Sequence, residues 1–255
     1  MEGNLTKVMS AKKILKWVLL GIVLVIVGYG VNYLSYERQP LPEAVAALQS
    51  DDVVTVTRKP WLTFAPNSVD TATGFIFYPG GRISYLGYSD MMRIIAENRY
   101  LVVVPKMPLN IAFTAPNVAD EIIAAHPEIT HWVIGGHSVG GTFAAQYAFK
   151  HPENIDGLAI WSSYPADSND ISSFDIPVVL MYGSNELGVT DESVGVRKHL
   201  LPVDTHYVVI EGGDHHQFGT YALTTEEDLA TISREAQHKQ ILAAMLELLK
   251  AAGLK

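Results

Sequence analysis

His131-Trp132-Val133-Ile134-Gly135-Gly136-His137-Ser138-Val139-Gly140-Gly141-Thr142-Phe143-Ala144-Ala145 is the stretch on which the reading of this chain turns. It opens on a short apolar run expected of a buried strand, fits the pattern G-x-S-x-G over Gly136 to Gly140, and continues into an Ala-rich helical run. A serine between a strand and a helix in that setting sits on a sharp, strained turn with its hydroxyl exposed. Glycines are needed two residues to either side, because side chains there would strike the neighbouring strand and helix. The helix starting at Val139 aims free N–H groups and its positive dipole end toward the serine, where an oxyanion would form. The same five residues also fit a turn that joins strand to helix for packing alone, so the rest of the chain has to decide.

The chain has 255 residues, enough for one α/β domain and an appendage, and no cysteine. That removes disulfides, thiolate metal sites, a cysteine nucleophile and an acylated cysteine from consideration. The formal net charge is −9, and the lysines Lys7, Lys12, Lys13 and Lys16 stand against Glu2 alone at the N-terminus, so the remainder is more acidic than the whole. Such a body is not expected to seek nucleic acid.

Residues 17–36 carry no charge and include Trp17 to Val27, an unbroken run interrupted only by Gly21. At about 1.5 Å per residue this length crosses a hydrocarbon core of roughly 30 Å. The preceding lysines place residues 1–16 in the cytoplasm as a basic tail, with the domain that follows the span outside it; Trp17, Tyr29, Tyr33 and Tyr36 suit the two interfaces. A cleaved signal peptide, and hence a secreted protein, is the alternative, although the apolar run is long and no Ala-x-Ala follows. Residues 37–50, with Pro40 and Pro42, read as a short stalk, and 51–255 as the catalytic-size domain.

Within that domain Val53 to Thr57 and Trp61 to Phe64 read as an antiparallel pair. Buried strands are expected next at Gly74–Tyr78, Tyr100–Val104, Trp132–Ile134, Leu158–Trp161, Pro177–Tyr182 and His206–Ile210. Helices are expected at Asp90–Asn98, Val118–Ala125, Thr142–Lys150, Ser193–Leu201 and Thr225–Leu249. Apolar strands alternating with amphipathic helices call for a mostly parallel sheet of about seven or eight strands, covered on both faces. Reactive groups gather at the carboxyl ends of such strands.

Three further clusters stand at those ends. The pair Gly80-Gly81 before Arg82 frees backbone N–H groups for a second oxyanion donor. Glu186 comes directly after its strand, where an acid that orients a histidine belongs, with Asp191 and Glu192 as neighbours in the same loop. Gly212-Gly213-Asp214-His215-His216 puts two histidines on a glycine-rich loop after the last strand, either of which can serve as base and then acid. The spacing of His206, His215 and His216 does not favour a metal site. Tyr78, Met107, Trp161 and Phe218 come from the same sheet edge and are candidates for lining a pocket, or for packing at its rim.

The order Ser138, Glu186, His215 or His216, each after its own strand, resembles the α/β-hydrolase family over about Val53 to Leu249, and within it the small cap-less group related to dienelactone hydrolases and bacterial esterases. The resemblance rests on Phe77-Tyr78-Pro79-Gly80-Gly81, Val104-Pro105-Lys106-Met107-Pro108-Leu109-Asn110, Gly135 to Gly141, Tyr182 to Glu186 and Gly212 to Gly219. It implies a serine hydrolase that cleaves a carboxylic ester through an acyl-enzyme. Ser138 is then the nucleophile, His215 the base, Glu186 the acid, and the N–H groups of Val139 and of Gly81 or Arg82 hold the oxyanion. It also implies that no cofactor is needed. The family's acid is more often aspartate, and dienelactone hydrolases proper use a cysteine that this chain lacks. With no long insertion between Gly141 and Asp175, an open cleft without a large lid is expected. Two other classes fit the same residues: a tethered binding protein that keeps the fold without turnover, and an acyltransferase using the same acyl-enzyme. The substrate and the oligomeric state are not encoded in any motif.

Overall fold

A computed structural model describes residues 10–67, 71–223 and 227–254. The chain divides between Tyr36 and Glu37 into two units. The first contains α1 (Ala11–Ser35), of which Ala11–Tyr33 is long and apolar enough to cross a membrane. The helix begins earlier than the uncharged run because Lys12, Lys13 and Lys16 are themselves good helix formers.

The second unit is built on one eight-stranded sheet in the order β1-β2-β4-β3-β5-β6-β7-β8. The strands are β1 (Val54–Thr57), β2 (Leu62–Pro66), β3 (Thr73–Tyr78), β4 (Leu101–Val104), β5 (His131–His137), β6 (Gly157–Trp161), β7 (Val178–Gly183) and β8 (His206–Ile210). β1 and β2 form the expected antiparallel pair, β2 joins β4 antiparallel, and the rest are parallel. The central strands are buried along their length except at His131, and successive side chains feed two cores. Phe75 and Phe77 enter one, packed by α3 (Ser89–Glu97) and α7 (Arg234–Ala252); Ile76 and Tyr78 enter the other, under α4 (Val118–Ala125), α5 (Val139–Lys150) and α6 (Asp191–Arg197). Period-two alternation with apolar residues at most positions on both faces is what a sheet covered on both sides requires.

From β3 the chain crosses to β4 on one side and then to β5 on the other, so the carboxyl ends of β3 and β5 flank the point where the sheet's winding reverses. Loops diverge there and leave a crevice. The register sets Tyr78 beside Gly136, which brings the Gly80-Gly81 loop against the Ser138 turn.

Several boundaries shift by a few residues, the helix expected at Ser193–Leu201 running instead over Asp191–Arg197, and two readings change in substance. The last helix starts at Arg234, not Thr225, because Leu229 N–H and Thr231 N–H are donated to Asp214 and to the Gly212 carbonyl, while Ser233 caps the helix by accepting from Ala236 N–H; Thr225 itself lies outside the described residues. Nor does the segment from residue 37 to 50 stand free as a stalk. Arg38 N–H reaches the Arg82 carbonyl at 2.8 Å and Ser84 N–H the Arg38 carbonyl at 3.0 Å, while Leu41 N–H reaches Thr220 and Ala222 N–H reaches Gln39. The short helix α2 (Pro42–Ala46) then buries Ala44, and Leu48 joins the core beyond it, because their apolar side chains have a hydrophobic surface within reach.

Candidate active site

Ser138 follows the last residue of β5 and precedes the first residue of α5, with φ 55° and ψ −127°. A side chain is costly in that backbone region, so the surroundings must impose it. They do so by contact. A Cβ on Gly140 would lie 2.1 Å from the Tyr78 carbonyl oxygen, and one on Gly136 would lie 2.5 Å from the Gly140 backbone. No side chain fits either gap, which is why the turn can close only with glycine at both places.

His215 Nε2 stands 3.1 Å from Ser138 Oγ, and its Nδ1 is 3.3 Å from Glu186 Oε2. The Glu186 carboxylate is fully buried, and its second oxygen accepts the Gly183 N–H at 2.7 Å. The other residues considered for these places point elsewhere. His216 Nδ1 lies 3.3 Å from the Tyr221 hydroxyl, Asp191 accepts from the Tyr182 hydroxyl at 2.5 Å, and Glu192 is exposed on α6. Burial, reinforced by the charge of His215, pushes the His216 imidazole below its usual range.

The N–H groups of Val139 and Gly81 have no acceptor among the described residues, and a Cβ on Gly81 would stand 3.0 Å from Val139 Cγ1, so the two residues adjoin. Arg82 is different: its N–H is donated to the Asn110 carbonyl at 2.9 Å, which turns it away from the serine. The four residues considered as a pocket lining are core residues. Trp161 and Phe218 are buried in the core under α7, while Tyr78 and Met107 are buried on the opposite face, the Tyr78 hydroxyl donating to the Pro116 carbonyl. A cavity of about 400 Å³ opens instead beside the acid and the histidine, lined by residues that include Leu187, Gly188, Glu227 and Leu229. The connection from β6 to β7 holds no helix or strand, so no lid domain is inserted there.

Several residues at this edge escaped the sequence reading. Ser162, directly after β6, places its hydroxyl 2.5 Å from Glu186 Oε2 and within hydrogen-bond reach of His215 Nδ1. No motif surrounds it. Asp214 braces the histidine loop: it accepts from the N–H groups of His216, Gln217 and Leu229, and Gln237 on α7 exchanges two hydrogen bonds with its backbone. An aspartate accepting from the backbone two and three residues ahead is a legible local signal, and it went unused.

His137, the variable residue of the elbow, is fully buried with Nδ1 2.8 Å from the Tyr88 hydroxyl and Nε2 2.9 Å from the His215 carbonyl. A carbonyl only accepts, so Nε2 carries the proton; Nδ1 then accepts from Tyr88, whose oxygen accepts the Gly80 N–H at 3.1 Å. This neutral imidazole ties the Gly80-Gly81 loop to the histidine loop. Burial holds its pKa well below the usual value, and the neighbouring His215 adds to the effect.

A strand-turn-helix serine, a histidine after the last strand and a buried carboxylate after the preceding one, all at the carboxyl edge of this sheet, define the α/β-hydrolase fold. The chain belongs to the alpha/beta hydrolase family, whose profile matches residues 74–239. No curated protein matches the chain. Among solved structures it is similar to a thermophilic esterase from the Planctomycetes species Thermogutta terrifontis, at 13% identity over 84% of this chain and 95% of that one, with a TM-score of 0.55. The same organism's esterase 2 phosphonylated by sarin matches at 12% identity, over 77% and 94%, with a TM-score of 0.56. Est1E from Butyrivibrio proteoclasticus, bound to ferulic acid, matches at 13% over 76% and 98%, with a TM-score of 0.53.

Proposed function

We propose that this protein is a serine hydrolase that cleaves a carboxylic ester through an acyl-enzyme. The observation that carries the reading is the continuous series Ser138 Oγ, His215, Glu186, with 3.1 Å between the hydroxyl and Nε2. In the acylation step Ser138 Oγ attacks the ester carbonyl while His215 Nε2 takes its proton. The carbonyl's π electrons move onto oxygen, where the N–H groups of Val139 and Gly81 receive them. Collapse of that oxyanion expels the alkoxide, which takes the proton from His215. Water, deprotonated by the same nitrogen, then releases the acid and restores Ser138. Glu186 keeps Nδ1 protonated and offsets the imidazolium charge. The esterase neighbours, one of them phosphonylated, favour this class. The exposed apolar side chains of α1 and the lysines at its start support a second part of the proposal: a membrane anchor with the N-terminus cytoplasmic and the hydrolase unit on the far side.

The test is labelling of the full chain in detergent with a fluorophosphonate, together with hydrolysis of p-nitrophenyl acetate. The expected outcome is a label on Ser138 and turnover that both vanish in Ser138→Ala. Turnover that survives the substitution rules the reading out. For the anchor, the protein should pellet with membranes and resist carbonate extraction; release of a protein lacking residues 1–36 identifies a cleaved signal peptide instead.

A further inference from the structure

Ser162 is buried, with only 1% of its surface exposed, and has φ 47°, a conformation that a residue with a side chain adopts only under constraint. Its N–H is donated to the Met181 carbonyl at 2.7 Å, which fixes the backbone between β6 and β7 and turns the side chain to one place. That place lies between the acid and the base: the hydroxyl is in contact with both Glu186 Oε2 and His215 Nδ1. The proton inventory allows one arrangement. For His215 Nε2 to act as a base it must be unprotonated, so Nδ1 carries the ring proton and is a donor. Ser162 Oγ accepts from it and gives its own hydrogen to the Glu186 carboxylate, an acceptor only. The direct separation of Nδ1 and Oε2, 3.3 Å, is longer than a charge-assisted pair of that kind usually keeps.

We infer that Ser162 is a positioning residue, and that the coupling of Glu186 to His215 runs chiefly through its hydroxyl. The inference rests on the serine-hydrolase reading above. No proton leaves Ser162 in this scheme. Its hydrogen bond pins the His215 tautomer and ring orientation before the reaction, and its dipole passes the carboxylate's charge to Nδ1 when the imidazolium forms. A hydroxyl in that position also leaves glutamate, with its longer side chain, free to keep its other oxygen on the Gly183 N–H.

The test uses the full chain in detergent and the variants Ser162→Gly, Glu186→Gln and their double. Glycine adopts φ 47° without strain, so the hydroxyl is removed while the backbone stays relaxed. Ser162→Gly should lower kcat for p-nitrophenyl acetate about tenfold, with KM within about twofold of the wild type. In the Glu186→Gln background the same change should cost less than about twofold, since its effect runs through the carboxylate. The downfield proton resonance of His215 Nδ1–H should move in Ser162→Gly, a change that packing alone does not produce. A wild-type kcat and an unshifted resonance in Ser162→Gly overturn the inference, as do fully additive losses in the double variant. If the wild type neither hydrolyses the ester nor is labelled at Ser138, the serine-hydrolase reading falls first and this one with it. A labelled, active wild type beside an unaffected Ser162→Gly removes only the role of Ser162.

Discussion

Ser138 and Ser162 stand just beyond the carboxyl ends of adjacent strands and share two backbone features. Each has a positive φ, and each donates its N–H to a carbonyl of the next strand, Ser138 to that of Trp161 and Ser162 to that of Met181. Their hydroxyls approach opposite nitrogens of one imidazole. The two serines differ in the chain beyond them. Ser138 is succeeded by α5 and is partly open to solvent, whereas Ser162 leads into an irregular loop and is sealed. The helix gives Ser138 a positive dipole end at which charge can develop; no helix follows Ser162. In the function proposed above, the positive-φ serine that leads into a helix is the one placed for reaction, and the sealed one is the one placed for orientation.

The largest effect that can break this contrast is Ser138→Ala. Hydrolysis of p-nitrophenyl acetate should fall by about 10⁴-fold or more, with an unchanged circular dichroism spectrum, and a loss comparable to that of Ser162→Gly would erase the distinction. Next comes the acid that Ser162 is held against. Glu186→Gln should lower kcat by about 10² to 10⁴-fold, whereas Asp191→Asn, whose carboxylate is turned to Tyr182, should stay within about twofold. Equal losses from the two would show that the acid is not fixed by the Ser162 contact.

A smaller effect concerns the mould beneath each serine. In Gly140→Ala the new methyl group collides with the Tyr78 and Pro79 carbonyls, so denaturant unfolding should show a loss of about 3 kcal/mol. Ser162 has no such glycine two residues on, and Tyr164→Phe should be neutral to within about 0.5 kcal/mol.

The smallest effect expected is the acid response of the buried His137, which lies beside Ser138 and has no counterpart beside Ser162. Its folded pKa is depressed below the ordinary 6.5, first by burial and then by His215. The unfolded chain therefore takes up the proton first on acidification. The stability that His137 contributes is complete above 6.5 and is lost as pH falls toward the folded value. Tm should drop between about pH 7 and pH 5, and His137→Gln should flatten that drop without abolishing it, because His216 and His238 are shifted in the same direction. An unchanged slope in His137→Gln would place the acid sensitivity elsewhere.

Ser138 was legible because its requirements are written next to it: two glycines that the packing demands, a buried strand before and a small-residue helix after. Glu186 and His215 were legible as candidates by position, each just beyond an apolar run, but that these two, and not Asp191 and His216, line up with Ser138 needed coordinates, since neighbouring side chains diverge by angles that spacing does not encode. Ser162 left no local mark. Its role comes from residues 24 and 53 positions away in the chain, and a serine after a strand has no distinguishing pattern until those partners are in place. The pocket candidates failed for a related reason: a large apolar side chain at a strand end serves a core as readily as a cleft, and Tyr78 and Trp161 went to the core. The stalk was misread because two prolines describe a stiff segment without saying whether it lies against a surface.

That segment has a practical corollary. Residues 38–41 are stitched on one edge to the loop that carries Gly81 and on the other to the chain leaving the histidine loop. A chain cut between Tyr36 and Glu37 would keep all of these backbone hydrogen bonds. A cut only a few residues later, after Leu41, would unpick four backbone hydrogen bonds bordering the site. Two cuts about five residues apart thus differ by every hydrogen bond that this segment makes to the loops at the sheet's edge.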